Sequence, residues 1–139
     1  MLRTLFALVS GFFAFGIVVT IVEAIDAFVV YPPPPGLDLR DPVQANAFIA
    51  GMPASALALV VLGWCLGAFI GGGLAARLAE RYRITCASAI GAIAVIGVIV
   101  NAQTIQHPMW VIAAGVALPI PLAIVAALLV RRVWPAPGR

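Results

Sequence analysis

The sequence predicts an all-α membrane protein, a bundle of four transmembrane helices with both termini on the cytoplasmic side. Three observations lead to this prediction. The 139 residues are 64% hydrophobic and only 9% charged, whereas a soluble domain carries about 25% charged residues. Four apolar segments have the length that a helix needs to cross a bilayer. Seven of the eight arginines fall on the same side of these segments.

The four apolar segments set the boundaries of the predicted helices. They cover about residues 4–30, 53–76, 84–101 and 109–131, within a single membrane domain of residues 1–139. Each segment must be helical in lipid, because every backbone polar group has to be satisfied inside the segment. The first segment exceeds the apolar stretch of about 7–15 residues in a signal peptide, so we expect it to remain as a helix.

Arginine placement predicts the orientation of the helices. Positively charged residues gather in the cytoplasmic loops of membrane proteins. Arg40 is the arginine expected outside, in a region that also holds the acids Glu23, Asp26, Asp38 and Asp41. We expect a multi-pass protein of the bacterial cytoplasmic (inner) membrane, with the N-terminus, the loop between the second and third helices and the C-terminus inside. The residues expected on the inner side are Glu80 and the arginines Arg3, Arg77, Arg81, Arg83, Arg131, Arg132 and Arg139.

The outer loop, residues 31–52, is predicted to contain a short helix. The proline run before Gly36 must be extended, because prolines fix φ and bias the preceding residue away from helix. We interpret this run as a rigid spacer rather than a peptide ligand, since it lies so close to the membrane. Asp41 then suits a helix N-cap and Pro42 the first helical position. The short helix is expected to lie at the outer interface and to end at Gly51.

Glycines four residues apart predict where the helices pack. Gly63, Gly67 and Gly71 share one face of the second helix. The third helix offers small residues at spacings of four and three, namely Ala87, Gly91, Ala94 and Gly97. Small residues at this spacing let helix backbones approach closely in lipid. We expect the two faces to meet within the chain, and homodimerisation through the same glycines is the alternative.

Glu23 and Asp26 are the candidate functional residues of the first helix. A carboxylate inside a membrane segment costs several kcal/mol on some scales, which makes it a functional hypothesis by default. The two acids are three residues apart, on one side of the helix and near its outer end. Glu23 follows the small residues Gly16 and Thr20, so we expect it to point into the bundle.

The turn between the third and fourth helices supplies polar side chains at the same outer surface. These are Asn101, Gln106 and His107. A convergence of Glu23, Asp26 and His107 would suit a metal such as zinc, or a proton relay. The favoured interpretation is a hydrogen-bonded polar cap that ties the helix ends together. The sequence assigns no metal and no cofactor to these residues.

Two prolines predict a kink in the fourth helix. Pro119 and Pro121 fall near the middle of the bilayer, and each removes one intrahelical hydrogen bond. Broken helices at this depth bind substrate in some transporters. A kink that serves packing is the favoured interpretation, because no charged residue accompanies the prolines.

The sequence contains no catalytic signature, so two functions from different classes remain. No catalytic triad, glycine-rich phosphate loop or paired-histidine zinc motif is present. The arginines flank apolar segments, so we expect the lipid bilayer, and either a membrane-protein partner or a homo-oligomer, but no nucleic acid. A non-enzymatic accessory, assembly or scaffold subunit is favoured. The alternative is a small transporter or ligand-binding bundle with an outward-facing site at Glu23, Asp26 and His107.

Overall fold

The computed structural model describes residues 2–79 and 81–134, and these residues form helices joined by turns, without a β-strand. Two residues used above for orientation, Glu80 and Arg139, lie outside this described part. The first helix, α1, covers Leu2–Ile25 and continues as a π-helical segment, Asp26–Val30. The other helices are α2 (Pro42–Ala50), α3 (Ala54–Leu78), α4 (Arg83–Thr104), α5 (Met109–Ala117) and α6 (Pro119–Val133).

Four of these units are long and apolar enough to cross a membrane. They are α1 with its π-helical end, α3, α4, and α5 together with α6. The prediction of four apolar helices is confirmed. Helix α4 extends to Thr104, beyond the predicted end near residue 101, because the polar residues at its end continue the helix before the turn.

The short helix between the first two spans is present as α2, and its boundaries follow from local chemistry. A carboxylate oxygen of Asp41 accepts a hydrogen bond from the Val43 N–H at 3.0 Å, and Pro42 occupies the first helical position. Before α2, the proline run ends in a turn at Gly36, whose φ of 86° favours glycine. In that turn the Leu37 N–H donates to the Pro34 carbonyl at 3.2 Å.

Helix α3 is the centre of the bundle. It packs against α1 on one side and against α4, α5 and α6 on the others. Half of the residues in the apolar part of α3 are therefore buried, whereas only 11% are buried in α1. Helix α1 contacts the bundle through one face, and the rest of its apolar surface is exposed.

The predicted kink lies at Leu118, between α5 and α6. The Leu118 N–H still donates to the Ala114 carbonyl at 3.0 Å, and the helix resumes at Pro119, which is fully buried. Gly91 of α4 lies directly against this break, since a Cβ added to Gly91 would come 2.7 Å from the Ile120 Cα. The break thus lets the α4 and α6 backbones approach, which supports a packing role for the prolines.

The two ends of the bundle differ in chemistry. At one end, which we call the arginine end, the Arg3 Nε–H donates to the Leu78 carbonyl at 3.1 Å, and the Arg83 guanidinium donates to the Trp134 carbonyl at 2.6 Å. The opposite end, which we call the cap end, is covered by residues 31–53 and the turn 105–108. The described arginines at the arginine end are Arg3, Arg77, Arg81, Arg83, Arg131 and Arg132.

Candidate functional site

The glycine face of α3 packs against α1 rather than α4. A Cβ added to Gly71 would lie 2.5 Å from the Gly11 carbonyl oxygen, and one added to Gly67 would lie 2.8 Å from the Phe15 ring. Gly63 also faces α1. The prediction that this face meets α4 was therefore wrong. A spacing of four residues defines a face, but it does not specify which helix covers that face.

The remaining predicted packing residues have other surroundings. Gly91 packs against α6, whereas Gly97 is exposed, and a Cβ added there would meet nothing within 4 Å. On α1 the residue that lets the backbones approach is Gly11, which the sequence analysis missed. The sequence had instead indicated the face of Gly16 and Thr20, which are four residues apart. A Cβ added to Gly16 would meet nothing within 4 Å, and Thr20 is exposed.

Glu23 lies at the edge of the α1 face that packs on α3, about 40° around the helix from Val19, which a Cβ added to Gly67 would meet. At about 100° per residue, Glu23 shares a face with Gly16 and Thr20, while Gly11 is about 140° from Gly16 around the helix. Its side chain is exposed, so the expectation that it points into the bundle was wrong. Within residues 2–79 and 81–134, no hydrogen bond or ion pair joins its carboxylate to another residue.

Asp26 has the opposite environment. It is 5% exposed, and its Oδ1 has no hydrogen-bond partner among the described residues. It is also the first residue of the π-helical segment, and such segments inside α-helices occur frequently at functional sites. A buried carboxyl group with an unpaired oxygen is costly and can bind a proton or a cation.

His107 interacts with its own turn and with α3. Its Nδ1 lies 3.1 Å from the Ile105 carbonyl oxygen, which requires a proton on Nδ1 because a carbonyl only accepts. The ring meets Trp64 edge to face at 6.0 Å between centroids. In the described part of the chain, no three His, Cys, Asp or Glu side chains are grouped to hold a metal ion. The metal site suggested by Glu23, Asp26 and His107 does not form there.

The side-chain hydrogen bonds between α2 and the turn after α4 come from a residue that the sequence analysis missed. Asn46 of α2 accepts from the Gln106 backbone N–H at 2.7 Å and donates to the Thr104 carbonyl at 3.4 Å. These bonds fasten α2 to the α4–α5 turn. At the end of α4, the backbone carbonyl of Asn101 accepts a hydrogen bond from the Ile105 N–H at 2.9 Å. The sequence signal available was a short helix with two polar residues, Gln44 and Asn46.

The exposed side of α1 carries a groove of about 340 Å³. Gly16 and Thr20 form its floor, because they are the smallest residues in it. Glu23 lies on the same face, about one helical turn beyond Thr20. We call this surface, groove and carboxylate together, the free face of α1. The groove is lined by Phe12, Phe13, Gly16, Ile17, Thr20 and Ile21.

The four apolar helices fit the class of small multi-span helical membrane proteins. No protein family model matches the chain, and neither a curated protein nor a solved structure shows a significant match to it. Its function is therefore inferred from the geometry of α1 and of the cap end.

Proposed function

We propose that the protein is a non-enzymatic accessory or assembly subunit of the bacterial cytoplasmic membrane, which binds a transmembrane helix of another membrane protein. The binding surface is the free face of α1. The observation that carries this proposal is the exposed groove floored by Gly16 and Thr20, continued along the same face by Glu23.

Helix association in lipid makes such a groove a docking surface. Lipid tails are as apolar as leucine, so helices associate through close packing and polar contacts. Within this bundle, α1 already uses one small residue in that way, since Gly11 meets Gly71 backbone to backbone. The free face repeats the arrangement with Gly16 and Thr20, but none of the described helices covers it.

The proposed orientation places both termini in the cytoplasm. It rests on the positive-inside rule, because the arginine end carries nearly all of the basic residues and the cap end carries Asp38 and Asp41. The cap end would then face the outside of the cell, and Glu23 would lie in the outer half of the membrane.

A second candidate function is a small transporter or ligand-binding bundle. Asp26 is the observation that favours it, because a buried carboxyl with an unpaired oxygen at a π-helical segment can bind a proton or a cation. In this case the Asp26 carboxyl is the functional group, inside the bundle, and the free face of α1 is covered by lipid.

Native mass spectrometry after gentle extraction from the host membrane distinguishes the two candidates. For the accessory subunit, we expect a co-purified polypeptide at fixed stoichiometry. Gly16→Leu should remove that polypeptide, because the new side chain fills the floor of the groove. Gly97→Leu is the matched control, since Gly97 also meets nothing within 4 Å but lies on α4.

A polypeptide that remains bound to the Gly16→Leu variant would reject the free face of α1 as its binding surface. A lone chain that carries an extra mass and loses it in Asp26→Asn would reject the accessory role and support the ligand-binding bundle instead.

A further inference from the structure

The contacts of the residue before Glu23 indicate how deep this carboxylate lies in the bundle. Val22, its neighbour, packs against Gly63 at 3.3 Å from a Cβ added there. Gly63 is about 13 Å along α3 from the start of that helix at Ala54. Helix α3 is about 37 Å long, whereas the hydrocarbon core is about 30 Å thick. With α3 centred in that core, Glu23 lies several ångströms inside the hydrocarbon, below the interface.

A contact between α3 and α5 indicates a similar depth for Glu23. Trp64, the next residue along α3, contacts the position of Gly115 on α5, 2.7 Å from a Cβ added there. Gly115 is about 9 Å from the start of α5 at Met109. The level of Glu23 is thus below the helix starts of both α3 and α5.

A carboxylate at this depth that faces outward needs a polar partner. Exposure to hydrocarbon costs several kcal/mol on some scales, and ionisable residues in membrane segments are paired in most cases. An arginine, lysine or histidine on a neighbouring helix would compensate this cost by pairing with the carboxylate. The free face of α1 is therefore complementary in charge to a basic helix.

In the described part of this chain, no hydrogen bond or ion pair joins an arginine or a histidine to Glu23. Six arginines lie at the arginine end, Arg40 lies in the loop beyond α1, and His107 lies in the turn 105–108, against Trp64 and the Ile105 carbonyl. A second copy docked in parallel on the same face would place one Glu23 beside the other. An antiparallel copy would invert the arginine distribution across the membrane. Charge complementarity therefore excludes a second copy as the favoured occupant.

We infer that the free face of α1 binds a transmembrane helix of a different protein, and that this helix carries a basic residue level with Glu23. The inference rests on the proposed function and adds the chemistry of the partner. Gly16 and Thr20 supply close packing, and Glu23 selects the partner by charge. In membranes, double mutants of polar pairs show modest couplings, whereas a desolvated charge pair is worth more.

Site-specific photo-crosslinking in the host membrane tests this inference. A photoreactive residue replaces Ile17, which lines the groove without forming its floor. We expect a crosslink to a transmembrane peptide of another protein, identified by mass spectrometry, that contains arginine, lysine or histidine. Glu23→Gln should lower the crosslink yield by about tenfold, which corresponds to about 1.4 kcal/mol. Glu23→Asp, which keeps the charge, should retain most of it.

A charge exchange completes the test. Glu23→Arg should abolish the crosslink, and replacing the identified basic residue of the partner with glutamate should restore it. Because Glu23 is exposed and makes no hydrogen bond or ion pair with the described residues, each variant should elute as the native protein does in size-exclusion chromatography.

The possible failures separate the two proposals. A crosslinked peptide without a basic residue, or a yield that Glu23→Gln leaves unchanged, overturns the inference but leaves the accessory role standing. A crosslink to a second copy overturns the inference as well. Crosslinks to lipid alone reject both the inference and the accessory role.

Discussion

The arginine half and the cap half of the bundle are packed in different ways. In the arginine half, alanines and glycines bring helix backbones into direct contact, with Ala75, Ala76, Ala87 and Ala123 fully buried. In the cap half, large side chains fill the space between helices. That core consists of Leu57, Val61, Trp64, Val98 and Val111.

This difference determines which half can adjust to a change. Gly71 and Gly11 face each other so closely that the Cα hydrogen of each points at the carbonyl oxygen of the other. A backbone cannot move away without shifting a whole helix. Trp64, by contrast, is a side chain, and its ring can shift through small changes in its torsions without moving a helix backbone. We therefore expect the arginine half to be rigid and the cap half to be tolerant.

The largest expected effect comes from alanine at Gly71. A Cβ there would lie 2.5 Å from a backbone oxygen, so Gly71→Ala should lower the free energy of unfolding by about 1–3 kcal/mol or more. Gly115→Ala introduces a similar approach, 2.7 Å, but against the Trp64 ring, and should cost clearly less. Thermal unfolding in detergent, followed by tryptophan fluorescence, measures both changes.

Gly97→Ala serves as the control for these two variants, because it adds the same methyl group in open space. It should leave stability unchanged or raise it by up to about 1 kcal/mol through helix propensity. Equal losses in Gly71→Ala and Gly115→Ala would disprove the distinction between a rigid and a tolerant half.

A smaller effect is expected from Asn46, which fastens α2 over the cap half. Asn46→Ala removes the acceptor of the Gln106 N–H and should cost about 0.5–1.5 kcal/mol. The loss should be local, so hydrogen exchange should accelerate in α2 and at Gln106 more than in α3. Asn46→Asp retains the acceptor oxygen and should keep Gln106 protected. Uniform acceleration across all helices would mean that α2 is not a separate cap.

The smallest expected effect is the pH dependence of α2. The Val43 backbone N–H, and then the Gln44 side chain, hold the pKa of the Asp41 carboxyl below its ordinary value. A lowered folded-state pKa means that the carboxylate stabilises α2 above the pKa of unfolded Asp41. That stabilisation is lost as the pH falls through the folded-state pKa.

Hydrogen-exchange protection of the α2 amides, relative to the unfolded peptide at each pH, measures this loss. Asp41→Asn should remove the pH dependence while retaining the N-cap, because asparagine caps helices about as well as aspartate. An unchanged pH profile in Asp41→Asn would assign the dependence to another group.

Local sequence features predicted most of the fold. The four apolar segments are a property of consecutive residues, so their number and approximate limits could be read without knowing any contact. The start of α2 was predicted for the same reason, because Asp41 and Pro42 act on neighbouring backbone groups. The break at Leu118 follows from the missing N–H of the next residue, Pro119.

The contacts between helices depended on information that the sequence does not contain locally. Helical spacing groups Gly63, Gly67 and Gly71 on one face, but only the arrangement of the helices assigns that face to α1. The same applies to Glu23, whose position relative to Gly16 was predicted correctly while the direction of their shared face was not.

For this protein, the sequence by itself determined the four apolar helices, the capped short helix and the kink, because hydropathy, capping and proline act between near neighbours. The tertiary structure decided which face of α1 is buried. Of the two faces with small residues, Gly11 packs on α3, and the face of Gly16, Thr20 and Glu23 is left exposed. Rotating a helix about its axis leaves its sequence pattern unchanged, so only contacts with other helices fix that rotation.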